Sequence, residues 1–157
     1  MELLNLKNEM YDIKHKISHL LLETKFHDYG NLETVNYDIT NPDEQQLMQE
    51  FNLITEKLSD IYYRMEYLQH PVDFEDTLTL NSDGRYETTN GRRYYTSGHE
   101  IEFFTTKEVL NSHGTFENVG IWVISSVEHN GQGYYIVGYP DVSLQNLRVR
   151  VRKTYFG

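Results

Sequence analysis

Two sets of side chains in this sequence have the types and spacing to bind charge. The first is acidic: from Phe26 to Glu56 there is no Lys or Arg, while Asp28, Glu33, Asp38, Asp43, Glu44, Glu50 and Glu56 all carry carboxylates. The sequence positions of Asp28, Glu33, Asp38 and Asp43 advance by a constant five residues. Such a tract imitates the charge of a phosphate backbone, and complementary fields speed encounter and select cationic partners. A hydrated loop that keeps the protein in solution accounts for the same residues more simply. The second set is basic and aromatic. Arg148, Arg150 and Arg152 alternate with Leu147, Val149 and Val151, so in a strand the arginines share one face. Arg92, Arg93 and Tyr94 lie upstream in a candidate hairpin. Arginines contact phosphate, and Tyr86, Tyr94 or Tyr95 has the ring on which a base stacks. The same row also suits pairing with Glu87, Glu100 or Glu102 across neighbouring strands. Intramolecular pairing is favoured, because nucleic-acid modules are usually markedly basic.

Other arrangements point away from catalysis. His15 and His19 stand at i, i+4, a spacing that places two imidazoles on one metal, but zinc needs further ligands and the stretch lacks the Glu of an HExxH pattern. Ser97, Gly98 and His99 form no catalytic set, since a nucleophile needs a base and an orienting group in space. Glu128-His129 reads as a strand end. There is no Cys, which excludes disulfides and thiol chemistry. The expectation is a chain with no catalytic residue, no metal and no cofactor.

The formal charge of -10 is unevenly placed. Up to Asp76 there are 6 Lys and Arg against 16 Asp and Glu, and from Thr77 onward 8 against 8, so the whole excess lies in the first half. Such asymmetry implies two surfaces with different tasks. No apolar run is long enough to cross a bilayer, and the N-terminus breaks its apolar pattern with charges, so a cytoplasmic protein of a bacterial host cell is expected. Many Asn, Ile and Tyr residues fit an AT-rich bacterial or phage coding sequence.

The elements that position these residues change period midway. Leu3, Leu6, Met10, Ile13, Ile17 and Leu20 follow a 3-4 spacing and predict a helix over about residues 2–26. A second helix begins at Asn41-Pro42-Asp43-Glu44, where Asn41 caps, Pro42 takes the first helical position and Glu44 has the capping-box spacing. Its stripe is Leu47, Phe51, Ile54, Leu58, Ile61, Met65 and Leu68, ending at His70-Pro71. The stripes predict an antiparallel hairpin in which each buries the other, with dimerisation through the helices or packing on the second half covering any remaining apolar surface. After VDFED the period becomes two. Strands are expected over 77–80, 84–88, 93–96, 100–105, 120–128, 133–138 and 147–153, separated by Ser82-Asp83-Gly84, Asn90-Gly91, Thr96-Ser97-Gly98, Asn130-Gly131 and Tyr139-Pro140-Asp141. The fold class is thus α+β: an acidic helical hairpin over 1–73, then a small antiparallel β-barrel-like, SH3-like domain over 74–157.

The second half carries an ordered series of motifs: GRYE at Gly84 to Glu87, TSG at Thr96 to Gly98, Ile101-Glu102, Trp122 with Val127-Glu128-His129, a GYYIVG run from Gly133 to Gly138, and VRVR at Val149 to Arg152. In this it resembles the DUF5348 family of small proteins from Firmicutes and their mobile elements. The resemblance covers about half the chain. It implies a β domain and a mobile-element setting, and no catalytic residue.

The leading functional expectation is a non-enzymatic acidic inhibitor from a phage or mobile element, acting on a nucleic-acid-directed defence enzyme of the host. Its concrete form is an anti-CRISPR protein whose partner is a Cas9-type nuclease or its guide complex, because such nucleases hold nucleic acid in positively charged channels. The alternatives are a small nucleic-acid-binding β module and a regulatory adaptor that dimerises through the helices. No membrane partner is expected.

Overall fold

The computed structural model describes residues 1–154. It divides into two compact units, Met1–His70 and Pro71–Gly157.

The first unit is helical. It holds α1 (Leu3–Glu23), the single turn α2 (Phe26–Tyr29) and α3 (Pro42–Gln69). α1 ends where Lys25 takes a left-handed conformation, φ 54°, which a continuing helix does not accommodate. The start of α3 follows its sequence signals: the Asn41 side chain accepts from the amides of Asp43 at 3.0 Å and Glu44 at 3.3 Å, with Pro42 opening the helix. The capping box closes differently from expectation. Glu44 Oε2 accepts from the Asp38 amide at 2.6 Å, and the Asn41 amide is already satisfied by the Asp38 carbonyl.

α1 and α3 run antiparallel. Lys14 meets Glu66 and Gln69 near the end of α3, whereas Leu20 and Thr24 lie beside Phe51, Ile54 and Leu58. The two stripes do not bury each other as expected. Ile17 and Met65 are buried and Leu58 half-buried, but Leu3, Leu6, Met10, Ile13 and Leu20, with Leu47, Phe51, Ile54, Ile61 and Leu68, remain 40% to 78% exposed. The seam is rotated off the stripes: it keeps only Ile17, Leu58 and Met65 of them and adds Lys14, Leu21, Thr55 and Tyr62. Two interactions hold it there. Lys14 reaches its partners on α3, and Phe26 and Leu32 from between the helices join Ile17 and Leu21 in one buried cluster with Val35 and Met48 against it, anchored by the Leu32 amide donating to Asn52 Oδ1 at 2.9 Å.

The second unit is one curled antiparallel sheet of β1 (Val72–Leu80), β2 (Tyr86–Thr88), β3 (Tyr94–Tyr95), β4 (Glu100–Leu110), β5 (Phe116–His129), β6 (Tyr134–Ile136) and β7 (Arg148–Arg152), in the order β3-β2-β1-β7-β4-β5-β6. Alternation aims Leu78, Ile101, Phe103, Val127 and Val149 into a single core, joined by Tyr95, Ile136 and Leu144. The Gly98 amide donates to the Val127 carbonyl and the Val127 amide to the His99 carbonyl, which extends the β4–β5 ladder, and the two edge strands approach each other where the Thr96 hydroxyl lies 3.2 Å from the Tyr134 hydroxyl.

β4 and β5 are longer than predicted and meet at a tight turn over 111–115. There Asn111 Oδ1 accepts from the amides of His113 and Thr115, and Gly114 takes φ 76°. Asn81 builds the same turn ahead of β2, accepting from Asp83 and Arg85 around Gly84. β1 also begins earlier than its periodicity indicates. The acids of VDFED belong to the strand, and Phe74, Glu75 and Asp76 pair with Val151, Arg150 and Val149 of β7.

Candidate functional site

The arginine row of β7 is spent on internal carboxylates. Arg150 Nε donates to Glu102 Oε1 at 2.6 Å, while Arg152 donates from Nε to Oε2 at 2.9 Å and from Nη2 to Oε1 at 3.0 Å. Glu102 is 2% exposed although its neighbours Ile101 and Phe103 point into the core. A carboxylate so deeply buried requires this many charge-assisted donors. Arg148 pairs diagonally with Glu75 at 2.8 Å. Register then adds an aromatic layer, because Phe104 and Trp122 are cross-strand partners with rings 5.4 Å apart, edge to face. Arg148 lies 4.9 Å and 5.2 Å from these two rings, and Arg150 lies 4.4 Å from that of Trp122.

Arg92 and Arg93 reach the same end of the sheet as Arg152. With Asp73, Phe74, Val151, Lys153 and Thr154 they line an open groove of about 380 Å³. Arg92 donates to Asp73 at 2.7 Å and covers Phe74 at 4.5 Å. Arg93 lies 5.3 Å from the ring of Tyr95, and its Nε is buried without a hydrogen-bond partner. Burial, with Glu102 as a lesser contributor, raises the Tyr95 phenol, partly offset by Arg93. Tyr94 is exposed and stands apart from the groove, with Arg85 over its ring at 5.5 Å. Lys153 is a groove cation that alternation alone did not single out.

The motif series now has a spatial meaning: GRYE enters β2, TSG turns the chain into β4, Ile101-Glu102 supplies a core residue and the buried acid, and VRVR supplies its two arginines. Residues 76–151 match the family model described as a domain of unknown function, DUF5348. The expected family and its restriction to the C-terminal part of the chain are therefore both found. No curated protein and no solved structure matches the chain. Glu102, Arg150 and the Phe104–Trp122 pair all fall inside the DUF5348 match; Arg152 and Lys153 lie just beyond it.

The acidic tract lies outside the DUF5348 region, in the helical unit. Its residues are not equivalent. Asp38 Oδ1 accepts from the Thr40 hydroxyl at 2.7 Å and the Thr40 amide at 2.9 Å, which holds its carboxyl below the usual range. Glu44 is half-buried and bonded to the Asp38 amide. These two acids build the turn into α3. Asp28 on α2, Glu33 in the connecting segment, and Asp43, Glu50 and Glu56 on α3 are exposed. Histidines 15 and 19 do not converge on a metal site: His19 approaches Glu23 at 3.7 Å, and among the described residues no group of three His, Asp or Glu side chains could hold a metal.

Proposed function

We propose that the chain is a non-enzymatic interaction protein whose helical unit engages a cationic surface on a nucleic-acid-directed enzyme. The concrete partner class is a Cas9-type nuclease or its guide complex, inhibited in the anti-CRISPR manner by a protein of phage or mobile-element origin. One observation carries this: Asp28, Glu33, Asp43, Glu50 and Glu56 are exposed along a stretch containing no Lys or Arg. Such a surface competes with nucleic acid by supplying a few of the contacts that a duplex supplies about every 1.7 Å of its axis.

The test is capture of partners from a bacterial lysate, followed by nuclease assays with the purified pair. Asp28, Glu33, Asp43, Glu50 and Glu56 are changed to Lys, leaving Asp38 and Glu44 to hold the turn. Loss of capture and inhibition by a folded variant supports the proposal; undiminished protection of DNA by that variant overturns it.

A second role, direct binding of nucleic acid, is favoured by the groove of Arg92, Arg93, Arg152 and Lys153. Salt-sensitive binding of a labelled oligonucleotide, lost on Arg93→Ala and Lys153→Ala, would establish that role instead.

A further inference from the structure

The seam between α1 and α3 leaves one face of the helical unit uncovered. Leu6, Ile13 and Leu20 recur every seven residues on α1, and Leu47, Ile54 and Ile61 do so on α3. On each helix this row is displaced in the same rotational sense from the seam residues. Because the helices are antiparallel, the two displacements bring both rows to the same side. Leu20 and Ile54 accordingly line one groove of about 410 Å³, with Leu58 and Thr55 at its base.

We infer that this face is covered by a second copy of the chain, giving a four-helix bundle around a two-fold axis. Three observations select that occupant. The face is two helices wide and both of its rows keep a seven-residue period, a pattern that a second antiparallel hairpin matches knob into hole. The exposed residues of this face, the two rows with Phe51 and Leu68, are 40% to 51% uncovered and present on the order of 700 Å² to a partner, close to the roughly 800 Å² that each side of a stable interface contributes. A two-fold contact joins the patch to itself, so no second complementary surface is needed.

Charge then sets a signature. The helical unit holds 6 Lys and Arg and 13 Asp and Glu, so two copies repel while their apolar faces attract. Screening weakens repulsion between exposed charges and leaves apolar burial intact. Self-association therefore strengthens with salt, the opposite of binding to a cationic protein.

The experiment is sedimentation equilibrium of the full chain between about 50 and about 500 mM NaCl, with Debye lengths from above 10 Å to below 8 Å. The expected result is a species of twice the 18.6 kDa chain mass, tightening as salt rises. Ile54→Glu with Ile61→Glu, both at exposed positions, should keep the helical circular dichroism and weaken association at least about 100-fold, two charges being buried per copy. A second measurement avoids altering the face: with no Cys in the chain, Asp60→Cys accepts a single spin label, and a dimer shows an intermolecular dipolar distance within about 40 Å, a few helix diameters. A chain that stays monomeric near 100 µM (roughly the scale of weak association) at every salt concentration overturns the inference. So does a dimer untouched by the two substitutions, or an apolar face that only a cationic peptide covers.

Discussion

Glu102 is buried and accepts a hydrogen bond from Arg150 at 2.6 Å, and the same guanidinium lies 4.4 Å from the ring of Trp122. One carboxylate thereby joins β4 to β7 and is reported by the only Trp in the chain. Replacing the charge but keeping the shape, Glu102→Gln, leaves Arg150 and Arg152 facing a neutral amide. Breaking a buried ion pair from one side costs about 3 kcal/mol. Urea unfolding followed by Trp122 fluorescence should show that loss, whereas Glu75→Gln, whose partner Arg148 is half exposed, should cost less than about 1 kcal/mol. Equal losses would mean that Glu102 is no more important than a surface acid.

The Phe104–Trp122 layer depends on a missing side chain. Gly120 stands opposite Thr106, and a Cβ there would collide with Phe104 Cζ and lie 2.9 Å from Cε2. Gly120→Ala therefore displaces the ring against which Arg148 rests. The expected cost is about 1–3 kcal/mol, as for other overpacked sites, with a change in Trp122 emission. Phe104→Leu combined with Gly120→Ala should recover part of it, which separates a clash from a loss of backbone freedom.

What the sequence made legible follows from how local each cause is. Asn41-Pro42 started α3 because a cap and a first-turn proline act over three residues, and the L-R-V-R-V-R alternation of β7 reports its own two faces. The limits of the β4–β5 hairpin were hidden because Lys107 and Glu108 lie in exposed, polar strand arms that carry little alternation. The stripes on α1 and α3 were read correctly as apolar rows, but which side of a row meets its neighbour depends on Lys14 and on the docking of Leu32 and Val35, long-range contacts with no local signature. Among the site residues, the tie of Arg150 and Arg152 to Glu102 was one of several pairings that alternation allowed. The loss of Asp38 and Glu44 to a turn was not visible, because all seven acids have the same charge and differ only in what they accept.

That turn predicts a separation between Asn41 and its neighbours. Asn41→Ala removes the acceptor for two first-turn amides and should cost about 1 kcal/mol. Asn41→Asp keeps an acceptor and adds favourable charge at the helix start, so it should restore most of that stability. Thermal unfolding monitored at the helical circular dichroism band measures both. An Ala variant as stable as the parent would show that Pro42 and the Glu44–Asp38 bond already suffice.

The acid limb of stability has a definite sign. Asp38 is held low mainly by the Thr40 hydroxyl, Glu66 mainly by the hydrogen bond from Lys14 against the opposing effect of burial, and Asp76 mainly by the Thr89 hydroxyl, again against burial. In each case the folded group binds its proton less readily than the unfolded one. Each contribution is therefore complete above the unfolded carboxylate range, near pH 4, and disappears as pH falls through the lowered folded value. Urea unfolding in steps from about pH 6 to about pH 3 should show stability falling across this window. Thr89→Val removes the hydroxyl that lowers Asp76, so it should reduce stability at neutral pH and flatten the fall, its curve converging on the parent's at the acid end. Parallel curves for the two proteins would show that Thr89 contributes through packing and leaves the ionisation of Asp76 unchanged.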